Sequence, residues 1–329
     1  MTMLPDTRSP LTSAEASAAF ANLLDRDIPE GEIARFLIDL SERGETATEI
    51  AAAASEMRKR VIGVKAPDNA IDVCGTGGDG HHSLNVSTAV SLVVAACEVP
   101  VAKHGNRAAS SKAGAADTLE ALGLNLDLAE KYAEQTLVDL GICFLFAQRH
   151  HPALGRLAPV RRNIGRRTIF NLIGPLANPA GVRRQLLGIA RPDYVPIYAE
   201  AMAELGTDYS MIVSGEEGLD ELSLAGGNLL AEVRGTAIRH RRILPEDAGL
   251  PHHPVSAIRG GDAQYNAAAL RSLLEGEHGP YRDAVLFNAA AALMVAGEAD
   301  DLHSGVEEAA EAIDKGLANA LLNCWIAYS

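Results

Sequence analysis

Apolar positions recur first at helical spacing and then in short runs, and this change of period divides the chain. Between residues 12 and 64 the pattern is helical. Ile33, Leu37 and Leu40 share one face, and Gly44 stands where that helix should end. Thr12-Ser13-Ala14-Glu15 and Thr46-Ala47-Thr48-Glu49 each fit a capping box, in which hydroxyl and carboxylate satisfy one another's backbone N–H groups. Short amphipathic helices of this kind need a partner surface. From Ala70 the apolar runs shorten and alternate with helical stretches. Strands are expected at 71–74, 99–102, 142–146, 185–190 and 209–213, and helices at 88–96, 115–122, 128–140, 195–204 and 284–296. This alternation predicts an α/β fold with a doubly wound, mostly parallel sheet beside a small all-helical domain.

Two stretches depart from the alternation. Residues 233–238 read as a small turn between β segments. Residues 151–179 carry Pro152, Pro159, Pro175 and Pro179 together with Arg156, Arg161, Arg162, Arg166 and Arg167. They read as one or two helices that leave the sheet and rejoin the N-terminal unit. The expected division is a helical domain of residues 1–68, joined by about 152–178, and an α/β domain of residues 69–329.

Composition narrows the class. A chain that is 47% hydrophobic and 22% charged is an ordinary globular protein, and 329 residues suit two structural units better than one. A net charge of −14 leaves no basic stripe for nucleic acid, so a site for a polyanion has to be made locally by a few cations or a metal. Cys74, Cys97, Cys143 and Cys324 fit no metal-ligand spacing, and Cys97 and Cys143, in apolar runs, are read as reduced core residues of a cytoplasmic protein. Residues 1–10 lack the regions of a signal peptide, and no apolar run reaches the ~18 residues of a membrane span.

Candidate chemistry begins where the first strand empties into Gly75-Thr76-Gly77-Gly78-Asp79-Gly80. Glycine lets a backbone approach a ligand, and the helix start that follows offers free N–H groups to a phosphate. The spacing formally matches a dinucleotide fingerprint. Asp79 inside the loop would, however, repel a pyrophosphate unless a metal or a strong donor set intervened, and the acid about twenty residues on, Glu98, comes before the next strand rather than at its end. Ser83, Asn85, Ser87 and Thr88 supply more polar groups than one helix cap requires. Lys103-His104-Gly105-Asn106-Arg107 follows the second apolar run, and a lysine there needs an anionic partner. The adjacent acids Asp220 and Glu221 are either solvated surface charge or, beside a pyrophosphate, ligands for Mg²⁺. The pairs His81-His82, His150-His151 and His252-His253 lack metal-ligand spacing and are read mostly as solvated or capping residues. Aromatic residues are only 4% of the chain, so a flat substrate would meet mainly backbone and aliphatic walls.

Taken together, these motifs resemble the anthranilate phosphoribosyltransferase family. The likeness rests on the glycine loop, Asn85-Val86-Ser87-Thr88, Lys103 to Arg107 and His151-Pro152-Ala153. It continues through Pro159-Val160-Arg161, Arg167-Thr168-Ile169-Phe170-Asn171, Gly174-Pro175-Leu176 with Asn178-Pro179, Gly218 to Glu221, and Asn288-Ala289-Ala290. The resemblance implies a small helical domain hinged to a larger α/β domain, a homodimer through the helical domain, and dependence on Mg²⁺. It implies transfer of phosphoribose from phosphoribosyl pyrophosphate (PRPP) to the amino group of anthranilate. Gly75, Gly78, Asp79, Ser83, Asn85, Val86, Ser87 and Thr88 would bind PRPP, as would Lys103, His104, Gly105, Asn106, Arg107, Ala108, Ala109, Ser110 and Ser111. Ser87, Asp220 and Glu221 would bind metal. Gly75, Asn106 and Arg161 would meet anthranilate, with Lys103, Asn106 and Arg161 as the catalytic set. Ser83 replaces the family's usual threonine and keeps its hydroxyl. The alternatives are an enzyme like the pyrimidine-nucleoside phosphorylases, in which the paired acids have no obvious task, and a non-catalytic relative that binds nucleic acid, which the acidic charge disfavours.

Overall fold

The computed structural model describes residues 4–108 and 112–328. Three helices open the chain: α1 (Ser13–Asp25), α2 (Glu30–Arg43) and α3 (Ala47–Arg58). Both capping boxes form, with the N–H groups of Glu15 and Glu49 donating to the hydroxyls of Thr12 and Thr46 at 3.3 Å. Gly44 ends α2 at φ 90°, a conformation that side chains rarely adopt. Phe20 of α1 meets Phe36 of α2 edge to face, with ring centroids 6.0 Å apart.

The sheet is built from β1 (Ile71–Gly75), β2 (Val101–Gly105), β3 (Ile142–Phe146), β4 (Arg184–Gly188), β5 (Tyr209–Gly215), β6 (Asn228–Arg234) and β7 (Ala237–Ile243), in the order β3-β2-β1-β4-β5-β6-β7. The first five are parallel, and β6 and β7 form an antiparallel hairpin at one edge. The expected turn at 233–238 is the tip of that hairpin. The strand order reverses at β1, which lies between β2 and β4; ligands bind at such a reversal in open α/β sheets.

Helices cover both faces of the sheet. Between strands lie α4 (Val86–Ala96), α5 (Ala115–Leu122), α6 (Leu126–Lys131), α7 (Ala133–Asp139), α8 (Ala147–His150), α9 (Ala158–Ile164), α10 (Ile169–Leu172) and α11 (Val195–Leu205). The chain closes with α12 (Ala263–Leu274), α13 (Pro280–Ala296), α14 (Leu302–Asp314) and α15 (Leu317–Tyr328). Leu186 and Met211 pack toward α4 and α13, whereas their neighbours Leu187 and Ile212 pack toward α3 and α11. This is the period of two expected of a strand buried on both faces. The arginine-rich crossover packs on the N-terminal helices. Leu157, Val160, Ile169, Phe170 and Leu172 share a core with Phe20, Leu37 and Ile50.

Several boundaries shift by a few residues, and two elements differ more from the sequence reading. β2 begins after Pro100, which has no N–H to donate to the ladder, and runs on to Gly105. Lys103 and His104 therefore lie within the strand rather than beyond it. The helix expected at 128–140 is two helices that meet at Tyr132. No helix among the described residues is long and apolar enough to cross a membrane.

Candidate active site

The glycine loop leaves β1 at the point where the strand order reverses. Gly77, Gly78 and Gly80 have φ of 69°, 69° and 81°, which only glycine adopts without strain. The turn Gly218 to Glu221, which follows β5, lies across the ends of β1 and β4 so closely that a methyl group on Gly75 or Gly188 would collide with Asp220. Asn288 of α13 fixes this turn from behind. Its side chain accepts from the Leu222 N–H at 2.8 Å and donates to the Leu222 carbonyl at 2.9 Å.

Carboxylates converge as a result. Asp220 Oδ2 accepts from the Gly77 N–H at 2.6 Å, and Glu221 Oε1 accepts from the Ser87 N–H at 3.1 Å. Asp79 turns one oxygen to the His81 N–H at 3.0 Å, and its other oxygen is buried with no partner among the described residues. Burial raises the Asp220 pKa to about 7, and the nearby Asp79 adds to the shift. Burial also raises Glu221 to about 8, with Asp220 adding to it. Crowded, desolvated carboxylates of this kind call for a hard cation, and Mg²⁺ typically takes one or two carboxylates and completes its shell with water and substrate phosphate. Among the described residues no group of three or more His, Cys, Asp or Glu side chains is arranged to hold a metal. The Ser87 N–H meets Glu221, and Asp220 is its neighbour in the same turn, so these three candidates lie together.

A raised carboxyl pKa has a definite sign for stability. Between the unfolded values near 4 and the folded values of about 7 and about 8, the folded chain holds protons that the unfolded chain has released. The metal-free protein should therefore lose stability as pH rises through this window, and a cation that neutralises the acids should restore it. We expect the rise in melting temperature on adding Mg²⁺ to be larger at pH 8 than at pH 6, as read by differential scanning fluorimetry. An equal rise at both pH values would detach the acids from metal binding.

Lys103 is buried, and its ammonium donates to the Val73 carbonyl at 2.9 Å. Beneath it Asp72, also buried, accepts from the His104 N–H at 3.1 Å and from Asn178 Nδ2 at 2.8 Å. Burial pushes Lys103 down and Asp72 up, and their mutual attraction opposes both shifts. Asn178 also donates to the Ala102 carbonyl at 2.8 Å, so it binds the crossover to the sheet. The sequence reading of two histidines requires correction. His150 and His151 are not solvated but buried, His151 at the C-terminal cap of α8 with its ring 5.3 Å from that of His104. Burial brings His104 to about 3 and His151 to about 4, so both rings are neutral at ordinary pH.

The remaining candidates are placed unevenly. Asn85 spends its side-chain oxygen on Thr118 Oγ1 at 2.6 Å and Asn266 Nδ2 at 2.9 Å, as a scaffold residue does. Val86 is in the core, Ser83 forms an isolated bridge with Arg259, and the Thr88 hydroxyl is buried without a partner among the described residues. Gly105 ends β2, and Asn106 is exposed beyond it. Arg107 pairs with Asp117 at 3.0 Å and with Glu120, and the Ala108 N–H donates to Asp117 at 2.9 Å. Ala109, Ser110 and Ser111 lie outside the described residues. Arg161 sits half-buried with its guanidinium 5.7 Å from the Phe170 ring centroid. It has no carboxylate partner among the described residues, and burial lowers its pKa. Sequence reasoning gave no task to Arg167, whose Nη2 donates to the Gly77 carbonyl at 2.6 Å.

This fold and site define a glycosyl transferase. The profile of the glycosyl transferase family a/b domain matches residues 67–319, and that of the family's helical bundle domain matches residues 6–61. An anthranilate phosphoribosyltransferase of Novosphingobium aromaticivorans is 75% identical over 327 residues, covering 99% of each chain. The crystal structure of anthranilate phosphoribosyltransferase from Thermus thermophilus superposes with a TM-score of 0.92 at 42% identity, covering 97% of this chain and 96% of that one. The Saccharomyces cerevisiae enzyme in complex with PRPP and Mg superposes with a TM-score of 0.87 at 27% identity, covering 97% and 93%. The chain belongs to the anthranilate phosphoribosyltransferase family.

Proposed function

We propose that the protein transfers phosphoribose from PRPP to the amino group of anthranilate, releasing pyrophosphate, in an Mg²⁺-dependent reaction of tryptophan biosynthesis. The observation that carries this reading is the Asp220–Glu221 turn laid across the glycine loop where the strand order reverses. A nucleoside phosphorylase would give these acids no counter-ion. In the transfer, the anomeric carbon–oxygen bond breaks with its electron pair going to pyrophosphate. The arylamine nitrogen bonds to that carbon and then releases a proton.

Each residue has a task in this reading. Bound at Ser87, Asp220 and Glu221, Mg²⁺ would neutralise charge on the departing pyrophosphate. Lys103 keeps a positive charge beneath the loop, and the loop's N–H groups receive the phosphate oxygens. Anthranilate is unprotonated on nitrogen near neutral pH, so orientation matters more than a strong general base. Arg161, with no acid of its own among the described residues, grips the carboxylate, and Asn106 holds the opposite side.

The direct test is loss of anthranilate fluorescence when PRPP and Mg²⁺ are added to the purified protein. No loss across a range of pH and metal concentration would overturn the assignment. For Arg161→Ala we expect the KM for anthranilate to rise roughly 10- to 100-fold, as for loss of a hydrogen bond of ~1.5–3 kcal/mol to a charged group, with the KM for PRPP little changed. A matching rise in both constants would show that Arg161 serves the fold rather than the acceptor.

We also propose that the N-terminal helices and the crossover form a unit that moves against the rest of residues 69–329, and that the protein is a homodimer through these helices. Family resemblance supports both statements, and analytical ultracentrifugation tests the second. Free thiols at all four cysteines suit a reducing cytoplasmic setting.

A further inference from the structure

We propose that Arg167 is a ligand for the pyrophosphate end of the donor, brought from the helical side of the molecule onto the glycine loop. The inference deepens the transferase reading and rests on it. Arg167 lies between α9 and α10, and its carbonyl accepts from Ser41 Oγ of α2 at 3.2 Å. Its backbone thus belongs with the N-terminal helices, while its guanidinium reaches the Gly77 carbonyl at 2.6 Å. There it fills the space that a side chain on Gly78 would need, which gives that glycine a second reason to lack one.

Nearby arginines are already neutralised. Arg156 pairs with Asp27 at 2.9 Å, Arg166 with Glu42 at 2.7 Å, and Arg107 with the acids of α5. Arg167 has no carboxylate partner among the described residues, and only its bond to Gly77 engages the guanidinium. The loop beneath presents a matching deficit. Gly77 donates its N–H to Asp220, but the N–H groups of Gly78, Asp79 and Gly80 have no protein acceptor among the described residues. Positive φ at Gly77, Gly78 and Gly80 curls this stretch into the kind of concavity that receives anions. One cation and three amides therefore lie on the same loop with no protein acceptor for the amides among the described residues, beside the acids Asp79 and Asp220. A guanidinium is a planar fork, so one edge can hold the Gly77 carbonyl while the other meets a phosphate oxygen.

The experiment is calorimetric titration of Mg²⁺-pyrophosphate into the wild-type protein, Arg167→Gln and Arg167→Lys, alongside steady-state kinetics. Glutamine keeps a polar amide but is shorter and carries no charge. We expect Arg167→Gln to weaken pyrophosphate about 10- to 100-fold and to raise the KM for PRPP similarly, with the KM for anthranilate held within about twofold. Lysine should recover part of the loss, as a point charge without the fork. Because Arg167 is exposed, the thermal melt should be nearly unchanged, which separates lost binding from lost folding. Wild-type pyrophosphate affinity in Arg167→Gln would overturn the proposal and reduce Arg167 to a tether for the loop. The two readings fail separately. Active wild-type protein with an unaffected Arg167→Gln variant defeats this inference alone. Pyrophosphate binding that depends on Arg167 in a protein that transfers nothing would defeat the transferase reading while leaving the Arg167 site standing.

Discussion

Replacing both turn acids, Asp220→Asn with Glu221→Gln, should lower kcat roughly 10³-fold or more and abolish its dependence on Mg²⁺. A bound cation commonly supplies several kcal/mol of transition-state stabilisation, and ~4 kcal/mol is about three decades in rate. The fold should survive, because the amides keep the size of the acids. Stability without metal should be equal or higher at pH 8, since the exchange removes two desolvated, mutually repelling carboxylates whose folded pKa values are about 7 and about 8. Steady-state kinetics across Mg²⁺ concentrations and urea melts at pH 6 and pH 8 read both effects. A variant that kept a rate near that of the wild type with the same Mg²⁺ response would show that the metal is held elsewhere.

The second large effect belongs to Lys103. Its ammonium is buried near Asp72 and Glu221, so Lys103→Met leaves two buried carboxylates without their cation. Lys103 attracts both acids without a direct ion pair among the described residues, so the cost should stay below the about 3–5 kcal/mol of breaking a buried ion pair from one side. The loss should grow as pH rises, because both acids then have to ionise without compensation. Turnover should also collapse, since the charge beneath the loop is lost. Adding Asp72→Asn to Lys103→Met should recover much of the stability but not the rate. If the single variant unfolds at the same urea concentration as the wild type, the ammonium does not compensate the acids. Arginine should substitute poorly for Lys103, because the side chain is buried and a guanidinium is bulkier than an ammonium.

What the sequence made legible was local. The capping boxes at Thr12 and Thr46, the helix stop at Gly44, the glycine loop and the Asp220–Glu221 pair each carry their signal within a few residues. Structure at a distance stayed hidden. Pro100 displaced β2 and carried Lys103 and His104 into the sheet, a shift that hydropathy alone does not register. Asp72 looked like one polar position in an apolar run, because its partners at His104 and Asn178 are brought to it only by the fold. His150 and His151 gave no periodic sign of burial. The arginine cluster was visible, but nothing along the chain separated the neutralised Arg156 and Arg166 from Arg161 and Arg167. Gly188 was overlooked because the need for it arises from a turn far along the chain.

The hydrogen bonds from Gly77 to Asp220 and from Ser87 to Glu221 carry one more implication. Both N–H groups stand at places suited to phosphate, and in this structure the protein's own carboxylates occupy them. In the proposed reaction, a phosphate oxygen that took either amide would displace a carboxylate and free it for the accompanying cation. On that reading the metal complex of the donor is expected to bind more tightly than the bare anion.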